Sequence, residues 1–147
     1  MTSKTSYKPE GFHNVNPYVM VPGAARLLDF LKQAFDAKEE GRYLEGGRIA
    51  HACVRIGDSM VEMADSSEQW PPMPAAFHFY VPDVDAVYQR AVKAGATALQ
   101  PPEDKPYGER SGGVKDVCGN VWYIATRNEK SSEKQSGKGS AKKVGKR

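Results

Sequence analysis

The sequence predicts an α+β protein built from two copies of one βαβββ unit, and three observations point there. The segment "VPGAARLLDFLKQAF" begins at Val21 and "VPDVDAVYQRAVKAG" at Val81, sixty positions later. A short β-prone run precedes each, "NPYVM" and "AFHFY". After each, β-type sequence is broken by glycine turns, and the proline-rich stretch "DSSEQWPPMP" joins the two halves. The hydrophobic period changes along each half from that of a strand to that of a helix and back.

Each element has a local reason. Ala24, Leu27, Leu28, Leu31 and Phe35 form one apolar stripe at helical spacing, and Val84, Val87, Tyr88 and Ala91 form the other. Asp83 is placed to cap the second helix and Gly95 to end it. After the first helix, "KEEGRYLE" turns through Gly46-Gly47 into "RIAHACVRI", a two-residue hairpin signal, and "GDS" then turns into "MVEMA". After the second helix, "TALQ" leads through "PPEDKPYGER" to "SGGVKDV", and "CGN" turns into "VWYIAT". The modules thus span about residues 14–66 and 75–127, with a linker at 67–74, an N-terminal arm at 1–13 and a tail at 128–147.

A chain of 147 residues fits one domain with a proper core. At 39% hydrophobic and 27% charged, it falls in the ordinary soluble class rather than the membrane or disordered ones. No apolar run reaches the roughly 18 residues of a membrane span. The start "MTSKTSYKPEGFHNV" has no apolar signal region, so the cytoplasm is the expected location. Cys53 and Cys118 show no paired spacing and are expected as free thiols. The net charge of +3 is unevenly spread: from Asn128 on, the chain carries +5, leaving the rest near −2. That Ser/Gly/Lys-rich tail has no aromatic residue and is expected to stay disordered. It reads as a solvated, dispensable segment rather than a nucleic-acid contact, since nothing in it stacks on bases.

The repeated unit together with "DVDAVYQRAVKAGA" and "DVCGNVWYI" resembles the vicinal oxygen chelate superfamily, the fold of glyoxalase I, bleomycin-resistance proteins and extradiol dioxygenases. The pattern "RIAHACVRIGDSMVEMAD…FHFYVPDVDAVYQRAVKAGA…PYGERSGGVKDVCGN" is similar to its PhnB-like branch. The resemblance runs from about Asn14 to Thr126. It implies a cup-shaped mixed sheet with helices outside, a concave cavity and a homodimer. It also carries the metal positions of metal-dependent members onto Asn16, Glu62, Ala76 and Tyr123. Of these only Glu62 is a good ligand: Ala76 has no donor atom, a neutral Tyr123 is poor, and Asn16 is weak for a transition metal. The usual metal site is therefore expected to be absent, and no cofactor is expected.

Strand alternation assigns the faces. Val15, Val19, Val21, Ala50, Ala52, Val54, Ile56, Val61, Met63, Phe77, Phe79, Val81, Trp122 and Ile124 should pack under the helices. The opposite parity collects Asn16, Tyr18, Met20, His51, Cys53, Arg55, Met60, Glu62, His78, Tyr80 and Tyr123. As a group the polar and aromatic members read as a ligand-binding wall. Singly, each has a plainer account: a strand histidine bonded on a half-polar surface, a packed tyrosine with a wet hydroxyl, or an Arg55–Glu62 ion pair. Trp70 is either an aromatic lid or a hydrophobic bridge between modules. Tyr107 and Arg110 lie in the glycine-rich "KPYGERSGG", a loop able to close over a ligand, with Arg110 either clamping an anion or simply exposed.

Function then reads as sequestration of a small organic ligand without a metal. The rival is an enzyme, using either Glu62 as acid–base or a displaced His51, Glu62 and His78 metal set. His78 lies two residues past Ala76, about 7 Å along its strand.

Overall fold

The computed structural model describes residues 6–128, in two compact units that divide between Pro74 and Ala75. Each unit is a four-stranded mixed sheet with one helix. The first holds β1 (Tyr18–Val21), α1 (Ala24–Phe35), β2 (Lys38–Glu45), β3 (Arg48–Ile56) and β4 (Ser59–Asp65), with sheet order β1-β4-β3-β2. The second holds β5 (Ala76–Tyr80), α2 (Val84–Lys93), β6 (Thr97–Lys105), β7 (Glu109–Lys115) and β8 (Val121–Arg127), in the order β5-β8-β7-β6. In both, the first strand runs parallel to the last and the other pairs are antiparallel. The predicted duplicated α+β architecture is what the chain adopts. None of the described helices is long and apolar enough to cross a membrane.

In the first unit Leu27, Leu28 and Leu31 of α1 are fully buried, together with Val19, Val21, Val54 and Met63 of the sheet. Each such side chain contributes roughly 1.5–3 kcal/mol by leaving water. The hairpin from β2 to β3 turns on Gly46 (φ 57°) and Gly47 (φ 81°), the double positive φ that a type I′ turn needs. In the second unit Trp122 is the centre of the core. Phe77 stacks on it at 4.2 Å between ring centroids, and Phe79 meets it edge-on at 6.0 Å.

The duplication extends to how each helix is started. Gly23 offers α1 no side-chain cap, and Asp65 of β4 supplies one: its Oδ1 accepts from Ala24 N at 2.8 Å and its Oδ2 from Ile49 N at 2.8 Å. Thr126 holds the corresponding place on β8, accepting from Val84 N at 2.9 Å and donating to Val81 O at 2.8 Å. Asp83 adds the predicted cap, accepting from Ala86 N.

Four local expectations are corrected. Val15 is 86% exposed, because the strand begins only at Tyr18 and the backbone before it is bent into a turn. That turn is closed by Asn16, which accepts from His13 N and donates to His13 O. A bulge skips Ala50 in the β2–β3 register, so Ile49 and not Ala50 is the buried residue there. The segment "PPEDK" is strand: β6 runs on to Lys105 as an edge, where prolines without an N–H do no harm, with two register shifts absorbing them. Residues 109–115 are likewise strand β7, so Arg110 does not belong to a loop. The tail from residue 129 on, read as disordered, lies outside the described residues.

Candidate functional site

In the first unit, the sheet face turned away from α1 carries a connected polar cluster. Glu62 of β4 is opposite Cys53 of β3 and level with Tyr18 of β1. His51 Nε2 lies 2.8 Å from Glu62 Oε1, and the His51 and Tyr18 rings are 5.7 Å apart. An ionised carboxylate only accepts, so this contact puts the proton on Nε2 and leaves Nδ1 of His51 as the open lone pair. Burial, then the Glu62 charge, pushes the Tyr18 hydroxyl above its usual range, which keeps it a phenol and a donor. Glu62 does not pair with Arg55, whose Nε donates instead to Glu40 at 3.2 Å.

The N-terminal arm runs over this face. Gly11 sits so close to Arg55 that an added Cβ would come within 2.8 Å of the guanidinium. Phe12 and His13 line a pocket of about 370 Å³ together with His51 and Glu62. Cys53 and Met60, expected on an open surface, are buried on that side. A second pocket of about 430 Å³ lies toward β1, lined by Tyr18, Met20, Arg48 and Trp70. Trp70 is held by a turn in which its N donates to Ser67 Oγ and its O accepts from Ser67 N. The residue is 56% exposed.

In the second unit, His78 and Tyr80 of β5 both reach Glu109 on β7. Tyr80 Oη donates to Oε1 at 2.9 Å and His78 Nε2 lies 3.1 Å from Oε2. The strand between them is β8, and its residue beside Tyr80 is Ala125, a small and fully buried side chain that allows the crossing. Glu109 is itself only 7% exposed. The Glu109 hydrogen bond, then burial, raises the Tyr80 hydroxyl above its usual range. Tyr123 is level with His78, half-exposed, its ring over Gly113. Arg110 faces the helix, donating through Nε and Nη2 to Asp85 at 2.9 and 3.1 Å, with Asp104 at 3.5 Å. Tyr107, in the turn before β7, is exposed.

Of the residues singled out from sequence, Tyr18, His51 and Glu62 meet in one unit, and His78, Tyr80 and Tyr123 share a face in the other. The register corrects one inference. Tyr18, not Asn16, is level with Glu62, and His78, not Ala76, is level with Tyr123. The sixty-residue repeat that matched Asn16 to Ala76 matches Tyr18 to His78 equally well, so spacing alone could not choose. The structure gives His51 and His78 separate carboxylates, and among the described residues no three His, Cys, Asp or Glu side chains gather as a metal-holding group. Glu109 and the arm went unseen. Glu109 sits in a stretch that reads as loop, and the arm has no period to read.

The thiols differ in reach. Cys53 is buried, and burial first, then the charges of Glu62, Glu40 and Glu39, raises its thiol above the usual range. Cys118 lies half-buried in the turn before β8. Iodoacetamide mapped by mass spectrometry should label Cys118 at least about tenfold faster than Cys53, because burial both shields the Cys53 thiol and disfavours its thiolate. Equal rates would show that the first unit opens readily.

Two βαβββ units, each with a helix on one sheet face and phenol, imidazole and carboxylate groups on the other, define a paired-module α+β protein. The family model described as the Glyoxalase/Bleomycin resistance protein/Dioxygenase superfamily matches residues 12–124, and the chain belongs to that superfamily. It is 37% identical over 122 residues to the uncharacterized protein Rv0887c of Mycobacterium tuberculosis (strain ATCC 25618 / H37Rv), covering 75% of this chain and 72% of that protein. Among solved structures it is similar to TioX from Micromonospora sp. ML1, with TM-score 0.65 and 26% identity over 78% of this chain and 99% of that one. It is also similar to TnmS3, an antibiotic binding protein from Streptomyces sp. CB03234, with TM-score 0.64 and 20% identity over 79% and 96%. The last likeness shows the fold alone.

Proposed function

We propose that this protein binds a small organic molecule on its polar–aromatic sheet faces, without the metal that other members of the superfamily use, in the manner of an antibiotic-binding protein. The observation that carries this is the donor set. Asn16 spends its carboxamide on closing a turn with His13 and Ala76 has no donor; of the residues that are level with Glu62 and Tyr123 instead, Tyr18 is a phenol and His78 is bonded to Glu109, as Glu62 is to His51. Phenols, a turn-closing amide and imidazoles already paired with separate carboxylates are a poor set for a divalent transition metal. What the faces offer instead is ring surface and fixed hydrogen-bonding groups: Tyr18, His51 and Trp70 in the first unit, His78 and Tyr123 in the second. Arg110, already held by Asp85 and Asp104, contributes shape rather than a free clamp.

The His51–Glu62 contact favours one second reading, metal-free acid–base catalysis. In that reading His51 is the proton acceptor and Glu62 the residue that orients it, where the sequence had suggested Glu62 itself as the acid–base. Cytoplasmic location and a homodimer belong to the same proposal.

Fluorescence separates ligand binding from none. The chain has two tryptophans, Trp122 buried at 3% and Trp70 exposed. Anthraquinone-2-sulfonate, a planar aromatic probe, should saturably quench Trp70, and Trp70→Phe should remove most of that quenching. Elemental analysis of protein purified without chelator should find far less than one metal per chain. A full equivalent of bound zinc, nickel, iron or manganese would refute the metal-free reading.

A further inference from the structure

The second unit contains a pocket that the reading above does not use, at the end of the sheet where β5, β7 and β8 come together. Tyr80, Tyr107, Glu109 and Arg127 line it, with Val81 and Pro82 as the apolar part, and its volume is about 600 Å³. Tyr80 and Tyr107 are both 58% exposed, so both rings present open surface. The same pocket holds the carboxylate of Glu109, whose residue is 7% exposed. Evolution of a polar surface does not require a carboxylate to be sunk this far, and sinking one is costly unless its oxygens are satisfied. Here each oxygen is satisfied: Oε1 accepts from Tyr80 and Oε2 from His78.

These bonds fix what the pocket shows a ligand. The Tyr80 proton is committed to Glu109, so the oxygen of Tyr80 turns its lone pairs outward and acts as an acceptor. The electron-rich faces of two phenol rings add to the same sign of potential. The negative groups are therefore held in place by the fold, and Arg127, level with Glu109 on β8, lines the same pocket from an exposed position. We infer that the Tyr80–Tyr107–Glu109 pocket of the second unit is a binding site for a small organic ammonium ion. The cation lies against the two phenol rings beside the Glu109 carboxylate. This site is independent of the aromatic surface around Trp70, so either can exist without the other.

Three probes of one shape and different charge test it on the full chain: choline, the neutral 3,3-dimethylbutan-1-ol and the anionic 3,3-dimethylbutanoate. Titration followed by amide NMR should show saturable shifts for choline at Gly108, Glu109 and Arg127. The neutral probe should bind about tenfold more weakly and the anion more weakly still. Tyr107→Ala, a change at an exposed turn that leaves the core untouched, should weaken choline about tenfold. Glu109→Gln, which keeps the size and one acceptor, should do at least as much. Anthraquinone-2-sulfonate quenching of Trp70 should be the same in both variants. No saturable shift with choline, equal or tighter binding of the neutral or anionic probe, or full choline affinity in both variants would each overturn the assignment.

Discussion

Replacing Asp116 with alanine is expected to lower the stability of the protein by about 3–5 kcal/mol, the loss that follows when buried donors are left without an acceptor. Asp116 is 5% exposed and opens the turn "DVCGN". Its Oδ1 accepts from Cys118 N at 2.9 Å and Asn120 N at 3.0 Å, and its Oδ2 from Asn120 Nδ2 at 2.9 Å and Trp122 Nε1 at 2.8 Å. Asn120, with no exposed surface, then uses its own Oδ1 to accept from Ala75 N at 2.9 Å, the residue just before β5. One carboxylate thus sets the turn, the ring at the centre of the core and the start of a neighbouring strand. Gly119 completes the turn at φ 95°, a conformation that favours glycine. Chemical denaturation should show the loss as a lower midpoint, and the melting temperature should fall by roughly 10 °C or more. Asp116→Asn should fall between, since it keeps one acceptor but turns an NH₂ group toward donors. A loss below about 1 kcal/mol for Asp116→Ala would mean that water replaces the carboxylate and that the network is not what holds this turn.

That network also explains what the sequence could and could not show. "DVCGNVWYI" carries the family resemblance because its Asp, Gly, Asn and Trp do structural work that any member with this turn must repeat. Its presence speaks to fold and is silent on chemistry. The apolar stripes were equally readable, since Leu27, Leu28 and Leu31 recur at the helical period and end up fully buried. Parity held along β4, β5 and β8. It failed at Ala50, where a bulge inserts a residue that no pattern announces, and at Val15, where the strand had not begun. The candidate site was half legible. Face membership of Tyr18, His51 and Glu62 follows from alternation, but which groups touch depends on register. Register puts Cys53 opposite Glu62, and His51 reaches that carboxylate diagonally; on the other sheet His78 and Tyr80 reach across Ala125 to Glu109.

Tyr18→His is expected to turn the first unit into a metal site by one substitution. Tyr18 is level with Glu62 on the neighbouring parallel strand, and such strands lie about 4.8 Å apart. His51 already meets Glu62 at 2.8 Å, and its ring is 5.7 Å from that of Tyr18. An imidazole at position 18 would complete two histidines and a carboxylate on one sheet face, the donor set of a three-ligand site with open positions. The natural side chain cannot do this, because burial and the Glu62 charge keep Tyr18 a neutral phenol. Tyr18 is 41% exposed, so the swap removes little packing. Zinc or nickel affinity should rise from undetectable to about micromolar, equivalent to roughly 8 kcal/mol of binding free energy. Elemental analysis should find about one metal per chain, and uptake should weaken as the pH is lowered, because protons compete with the metal for its ligands. Adding Glu62→Gln should abolish the gain, because the amide is a far weaker ligand than the carboxylate. If Tyr18→His takes up no metal, the Tyr18, His51 and Glu62 side chains do not converge as the register and the 2.8 Å contact require. If wild type already binds a full equivalent through His51, the metal-free account of this face is wrong and Glu62 is a ligand instead of a positioning group.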